Sequence, residues 1–343
     1  MMSKKWSATK AASVGRKNML VLGLQGSPRK KGNTQFLLTK LIDEAEQLGA
    51  RTQTIEVARR NIVPCKELVV CEKKGFCPID DDMKHGIYAL LREADVILLA
   101  SPVFFYNVTA QLKALIDRCQ TLWARKYRLK LADPAQKYRR GFLLSAGATR
   151  GRNLFEGLKL TAQYFFDAVG AEFAGSLTYH GIEGPKDMQN HATVRDDIKQ
   201  AARDLFEPLA NRRKVLFICR ENACRSQMAG AFAQHYAGER IDVATGGSQP
   251  AGTVNSIMVK VMQEKGIDMA FRIPQTIEAA LGNGPPATIV AMGCGEACPH
   301  VPGARMIDWD LPDPSGLGLD AMREVRDQIE GNVKKLVKEF PKA

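Results

Sequence analysis

Lys214-Val215-Leu216-Phe217-Ile218-Cys219-Arg220-Glu221-Asn222-Ala223-Cys224-Arg225-Ser226 runs from an apolar block into a polar turn, and a helical pattern opens at Ser226. A short continuous apolar run bounded by turn residues reads as a strand covered on both faces, the kind found in parallel sheets flanked by helices. Cys219 then stands at the carboxyl end of a buried strand, on the turn that enters a helix. In such a turn, successive backbone N–H groups and the positive helix end converge on one spot, which binds an oxyanion and favours a thiolate. Arg225 completes a Cys-x5-Arg-Ser spacing and supplies a planar fork for two oxyanion oxygens. The residues describe a sulfur nucleophile aimed at a bound oxyanion.

Outward from this turn the same rhythm repeats. After it, Ile241 to Ala244 and Ala287 to Met292 read as strands, with helices near 254–265 and 320–339. Before it, Met19 to Leu24, Arg51 to Val57, Asp95 to Ala100, Gly141 to Ala146 and Phe173 to Tyr179 read as strands. Helical spacing follows in Phe36, Leu37, Leu41, Ile42 and Ala45, near 109–120, and near 152–169. A helix near 193–207 meets Pro208, which is expected to end it. The 343 residues, at about 150 per domain, thus divide into a basic tail (1–17), an α/β domain (18–207), a linker (208–213) and a second α/β domain (214–343). Both domains are read as doubly wound parallel sheets.

The net charge of +12 is concentrated in two places. Residues 1–18 carry five basic residues and no acid, and residues 121–140 carry seven against Asp133. The rest is close to neutral, so a nucleic-acid protein is not implied. The apolar run Met19 to Leu24 is too short for a signal core, and no run approaches the ~18 apolar residues of a membrane span, so a cytoplasmic location is expected. In that reducing setting the eight cysteines read as ligands or redox groups rather than structural disulfides.

Cys219 through Ala229 resembles the phosphate loop of the low-molecular-weight tyrosine phosphatase superfamily, and within it the thiol-dependent arsenate reductases. Gly246-Gly247-Ser248, Gly266-Ile267-Asp268 and Asp313-Pro314 extend the resemblance over about 213–340. Phosphatases of this kind place aromatic residues after the acidic Asp-Pro. Here Ser315-Gly316 follows, while Cys294 and Cys298 stand just after a buried strand, which favours reduction. The resemblance implies that Cys219 attacks arsenate, Arg225, Asn222, Cys224 and Ser226 hold the oxyanion, Asp313 protonates the departing oxygen, and Cys294 then attacks Cys219. Cys298 would relay the disulfide to thioredoxin or another thiol donor, or Cys294 alone would meet that donor. Cys224 is either a protective partner for Cys219 or a small loop residue. A phosphate-like oxyanion and phosphatase hydrolysis is the alternative.

In the first domain, Gly26-Ser27-Pro28-Arg29 through Asn33-Thr34 follows the first strand and opens a helix, with no G-x-G-x-x-G and no Walker lysine. Ser101-Pro102-Val103-Phe104-Phe105-Tyr106-Asn107 puts an aromatic-rich loop after the third strand. Together they resemble the NAD(P)H-dependent FMN reductases of flavodoxin-like fold over about 18–206. The resemblance implies that Ser27, Arg29, Asn33 and Thr34 hold the FMN phosphate. Pro102, Val103, Phe104, Phe105, Tyr106 and Asn107 would line the ring, with Ser145 and Gly147 touching it, NAD(P)H as co-substrate, and a homo-oligomer formed through this domain. Cys65, Cys71 and Cys77 resemble the cysteine loop of iron-sulfur flavoproteins, but Leu68 occupies the place of a fourth ligand, so a loop without an iron-sulfur cluster or other metal is expected, with a three-thiolate site or a thiol electron relay as the alternative. The fusion implies a flavin domain that supplies electrons to the thiol domain; the alternative is a phosphatase fused to a flavin or quinone reductase.

Overall fold

The computed structural model describes residues 19–282, 284–293 and 301–340; the expected basic tail lies outside them. The first half runs β1 (Leu20–Gln25), α1 (Asn33–Gln47), β2 (Arg51–Glu56), α2 (Val70–Lys74), α3 (Tyr88–Glu93), β3 (Val96–Pro102), α4 (Ala110–Arg118), α5 (Gln120–Tyr127), β4 (Arg140–Ala146), α6 (Glu156–Ala168), β5 (Glu172–Tyr179), α7 (Asp187–Asn190) and α8 (Val194–Ala210). Its five strands are all parallel, in the order β2-β1-β3-β4-β5, which is the flavodoxin-like winding. Alternate residues of one strand enter opposite cores. Val21 packs with Leu37, Leu41 and Phe206, and Leu22 packs with Leu99, Leu112 and Phe165. Burial on both faces is why these strands read as unbroken apolar runs.

The second half runs β6 (Arg213–Cys219), α9 (Arg225–Ala237), β7 (Ile241–Gly247), α10 (Ser256–Glu264), α11 (Ile277–Leu281), β8 (Thr288–Ala291), β9 (Arg305–Asp308) and α12 (Leu319–Leu336). Its parallel sheet has the order β7-β6-β8-β9. Strand β9 gives no apolar signal because it is a four-residue strand paired on one side only and largely exposed.

Pro208 does not end its helix. Helix α8 continues to Ala210, and β6 begins at Arg213. Proline leaves the carbonyl four residues earlier without its helical donor. That carbonyl, on Asp204, accepts instead from Arg140 Nη1 at 3.2 Å.

Two residues, Asn211 and Arg212, therefore separate the last helix of the first half from the first strand of the second, and the halves are tightly joined. Asp268, with a side chain 1% exposed, accepts from Arg92 at 2.8 Å and from Arg125 Nη2 at 2.8 Å. Arg92 also pairs with Asp133, and Arg139 reaches the same carboxylate at 2.6 Å. Arg212 meets Asp95 at 2.7 Å. A backbone bridge links Ala132 to Ile267, with Ala132 N–H donating to Gly266 at 2.7 Å and Asp268 N–H donating to Ala132 at 2.8 Å. A polar cavity of about 500 Å³ between the halves is lined by Arg92, Tyr138, Gln234, Asp268 and Arg272, and includes neither Cys219 nor the loop after β1.

Candidate active site and flavin cradle

Cys219 ends β6 almost fully buried, and its Sγ lies 3.0 Å from Ser226 Oγ, on the first turn of α9. The carbonyls of Cys219, Arg220, Glu221 and Ala223 accept from the N–H groups of Ser248, Gln249, Ala251 and Asn255 at 2.7–3.3 Å. These four bonds tie the carbonyls of the turn to the chain leaving β7. The chain leaving β7 comes so close that a Cβ on Gly247 would lie 2.7 Å from both Arg220 O and Asn222 N. Only glycine lets the two backbones approach in this way.

Asn222 is the pivot of the turn. It is fully buried in the left-handed region, with φ 49°. Its Nδ2 donates to Ser226 Oγ at 2.8 Å, and its Oδ1 accepts from Gln227 Nε2 at 3.1 Å and from Gln275 N at 2.9 Å. Gln227 in turn accepts from Arg272 at 3.4 Å. Gln227 stands inside the Cys219–Ala229 segment but was given no role there, and Arg272 and Gln275 lie far from it in sequence; Gln227 and Gln275 act through Asn222, and Arg272 through Gln227.

Arg225 opens α9, donates to Leu311 O at 3.3 Å, and lies 3.5 Å from Asp313. Burial pushes the Asp313 carboxyl up, but hydrogen bonds from Ser315 and the charge of Arg225 outweigh it and hold Asp313 below its ordinary value. Cys224 points elsewhere: its Sγ is 3.3 Å from Met322 Sδ. Burial, then the neighbouring Cys219, push the Cys224 thiol up to about 12. Cys294 and Cys298 lie outside the described residues. Strand β8 delivers the chain to their segment from beside β6, where Met292 N–H donates to Ile218 O at 2.9 Å.

At the carboxyl edge of the first sheet, α1 starts at Gly32, which has no side chain to cap the helix, and the first turn holds no acid. Ser27 is buried, with its Oγ accepting from Arg29 N at 3.2 Å; Arg29 is exposed and Thr34 buried. Asn33 is spent on structure: Nδ2 donates to Gly184 O at 2.8 Å and Oδ1 accepts from Met188 N at 3.2 Å. Gly26 lies against α4, where a Cβ would meet Leu112 at 2.6 Å. Its carbonyl accepts from Thr109 Oγ1 at 2.6 Å, a tie that sequence reasoning missed.

After β3, Phe104 and Asn107 exchange backbone hydrogen bonds at 2.8 and 2.9 Å around Phe105 and Tyr106, both left-handed. Two consecutive non-glycine residues at positive φ are strained, and such strain gathers at ligand clamps. Phe105 is fully exposed, and Phe104 and Tyr106 are about half exposed. Pro102 and Val103 are half-buried, and Asn107 Oδ1 is engaged by Val108 N and Thr161. Ser145 donates to Ser101 O at 2.7 Å inside the sheet, and Gly147 packs under Leu154 and Val103. Beside this edge, both polar atoms of the buried Gln25 side chain lack a partner. An uncapped helix start, an orphaned buried amide and an exposed aromatic turn fit a phosphate-bearing planar cofactor.

The cysteine loop fits an iron-sulfur cluster less well than this edge fits its cofactor. Cys65 is exposed, and Cys71 and Cys77 are partly buried. Burial, then the neighbouring Cys77, raise the Cys71 thiol. Leu68, half exposed, stands where a fourth donor is needed, and no three candidate ligands converge on a metal site among the described residues. The donor set does not fit a four-thiolate cluster.

Residues 214–343 match the family model of low molecular weight phosphotyrosine protein phosphatases, and residues 19–153 that of NADPH-dependent FMN reductases. A putative arsenate reductase of Halobacterium salinarum is 38% identical over 133 residues, which are 37% of this chain and 92% of that protein. The chain belongs, through its second half, to the low molecular weight phosphotyrosine protein phosphatase family. Its first half is an FMN-reductase domain of flavodoxin-like fold. An iron-sulfur flavoprotein of Methanosarcina thermophila is 39% identical over 112 residues, 33% of this chain and 58% of that protein. The chain thus spans about half the length of the flavoproteins it matches. The solved thioredoxin-dependent arsenate reductase of Corynebacterium glutamicum is 30% identical, covering 44% of this chain and 76% of its own, with a TM-score of 0.34. No helix among the described residues of this phosphatase-family chain is long and apolar enough to cross a membrane.

Proposed function

We propose that the chain reduces arsenate to arsenite at Cys219, with electrons taken up from NAD(P)H by the first half. The observation that carries this reading is the Cys219–Ser226 contact at 3.0 Å across the turn between β6 and α9, with Arg225 on the first turn of that helix and 3.5 Å from Asp313. The sulfur of Cys219 attacks arsenic while Asp313 gives a proton to the departing oxygen, so one S–As bond forms and water leaves. Cys294 then attacks Cys219 Sγ. An S–S bond forms, the S–As bond breaks with its electron pair going to arsenic, and arsenite departs; two thiols are oxidised as arsenic gains two electrons. Cys298 then relays the disulfide outward, or Cys294 alone meets the donor, and two electrons from thioredoxin, another thiol or the NAD(P)H-fed first half reduce it.

In the first half, Ser27, Arg29, Thr34 and the start of α1 would hold the FMN phosphate, and Pro102 to Asn107 would flank its ring. When bound, FMN supplies two-electron acceptance from a nicotinamide hydride. The exposed Phe105–Tyr106 turn would cover one side of that site, and Thr109, at the start of α4, ties it to the loop after β1 through Gly26 O. A homo-oligomer formed through the flavin domain is part of this reading.

The test is arsenite formation by the purified chain with dithiothreitol as donor, its loss in Cys219→Ser, and then its support by NADPH alone. The Arg225–Asp313 pair would equally suit phosphate hydrolysis. Brisk p-nitrophenyl phosphate turnover that persists in Cys294→Ser would establish that second reading instead.

A further inference from the structure

The two halves meet at the amino ends of the first sheet's strands. Asp95 stands just before β3, Arg92 ends the preceding helix, and Ala132, Asp133 and Lys137 lie on the approach to β4; each bonds to the second half or to the arginine pairs that hold it. Helix α8 also runs down to this edge before β6 begins. The cofactor loops lie at the opposite, carboxyl edge. The seven residues of β3, at about 3.3 Å each, separate the two edges by about 23 Å. Disulfide reduction needs atomic contact. The joint itself is a backbone bridge reinforced by buried ion pairs, which leaves no free hinge for the first half to swing around.

The two working edges are complementary to each other. At the carboxyl edge of the first sheet, exposed Phe104, Phe105 and Tyr106 are rimmed by exposed Lys30, Lys31, Arg150 and Arg152. Around the Cys219 opening, exposed Leu317 and Leu319 follow Asp308, Asp310 and Asp313, with Glu221 across the turn, all exposed, against Arg220. An apolar centre inside a rim of opposite charge is the anatomy of a specific protein contact, and the charges fix its register.

We propose that the basic, aromatic edge of one copy docks on the acidic Cys219 opening of a second copy, so that reducing equivalents cross between chains rather than within one. This rests on the reading of Cys219 as a reductase thiol. The Cys219 disulfide breaks and takes up two electrons and two protons. The electrons and one proton originate as a hydride on the reduced nicotinamide dinucleotide, and the second proton comes from solvent.

The decisive experiment uses full-length chains. Sedimentation velocity of the wild type shows an association that weakens as salt rises. The Arg150→Glu/Arg152→Glu double variant and the Asp308→Lys/Asp310→Lys double variant each lose it by at least tenfold in affinity, and mixing the two reversed variants restores it. For electron flow, the Arg150→Glu/Arg152→Glu chain keeps Cys219 but cannot dock its rim, while Cys219→Ser keeps the rim but not the nucleophile. Each alone makes at least tenfold less arsenite from NADPH than wild type, and the mixture recovers it. The proposal is overturned if the wild type shows no salt-sensitive association, or if the rim-reversed chain alone matches wild type. Absence of arsenite with dithiothreitol as donor would instead overturn the reading of Cys219, and sedimentation would still decide the docking.

Discussion

Arg225 lies 3.5 Å from the Asp313 carboxylate while the same guanidinium donates to Leu311 O at 3.3 Å. The cation proposed to grip an oxyanion therefore spends its charge, in the resting chain, on the carboxyl proposed as proton donor. An arriving oxyanion competes for that guanidinium and adds negative charge beside Asp313. Both effects raise the carboxyl from its depressed resting value towards a protonated state. On the proposed role, substrate binding would arm the acid.

The pH profile should carry this signature. As the proposed proton donor, Asp313 would act only while protonated, so the rate of arsenate reduction should fall as pH rises through its value in the complex. Asp313→Asn should slow turnover by roughly 10²-fold and abolish that alkaline limb. A limb that survives in Asp313→Asn would remove Asp313 from the acid role.

Cys224 should be chemically silent. Its thiol, raised to about 12 and packed against Met322, stays protonated at pH 8. Mass-spectrometric mapping after brief alkylation should find label on Cys219 and not on Cys224. Cys224→Ser should retain arsenate turnover within about threefold, taking a lost weak sulfur contact as well under 1 kcal/mol. Labelling of both thiols at equal rates would contradict the packing.

Asn222 separates backbone strain from hydrogen bonding. Asn222→Gly keeps access to φ 49° but loses three hydrogen bonds, whereas Asn222→Ala also strains the backbone. Both should lose arsenate turnover. Thermal unfolding should show the alanine variant less stable than the glycine variant by about 1 kcal/mol. Equal stabilities would mean that the left-handed turn costs nothing here.

Gln25 distinguishes an empty cradle from a cofactor site. Its side-chain amide is buried with no partner, an arrangement that costs stability unless a ligand satisfies it. Gln25→Leu should raise the melting temperature of flavin-free protein while weakening FMN retention about tenfold, a loss of about 1.4 kcal/mol. Unchanged FMN affinity, measured by fluorescence titration, would place the cofactor elsewhere.

Both sheets were legible because their strands are buried on two faces, so Val215 to Ile218 and Asp95 to Ala100 announce themselves as apolar runs. Cys219, Arg225 and Ser226 were legible because a strand-to-helix turn packs its chemistry into one short segment. Strand β9 and Gln275 were not: one is short and exposed, and the other acts through a hydrogen bond spanning 53 residues. Pro208 misled because its missing donor is offset by Arg140, a partner from a distant strand. Asn33 matched the cofactor motif by type, but its amide is committed to Gly184 and Met188. The joint between the halves was invisible too, since Asp268 read only as part of a Gly-Ile-Asp motif, while its carboxylate holds two arginines of the other half.

That joint makes the chain sensitive to acid. Burial opposes ionisation of Asp133, yet Arg139 and Arg92 outweigh it and hold the carboxyl well below the ordinary carboxylate range. A carboxyl depressed in the folded state contributes stability that is fully present above its unfolded value, about 4, and is lost as pH falls from there towards the folded value. Denaturation midpoints should therefore be flat with respect to this group at neutral pH and fall below about pH 4. Removing the other carboxylate is more severe, because Asp268→Asn leaves the buried Arg92 and Arg125 charges short of a partner, at a cost of about 3–5 kcal/mol. With Trp123 reporting on the first half and Trp309 on the second, the wild type should give coincident unfolding curves. Asp268→Asn should split them, because Asp268 belongs to the second half and both of its arginine partners to the first. Coincident curves in the variant would show that the backbone bridge at Ala132 and Ile267 couples the halves without the ion pairs.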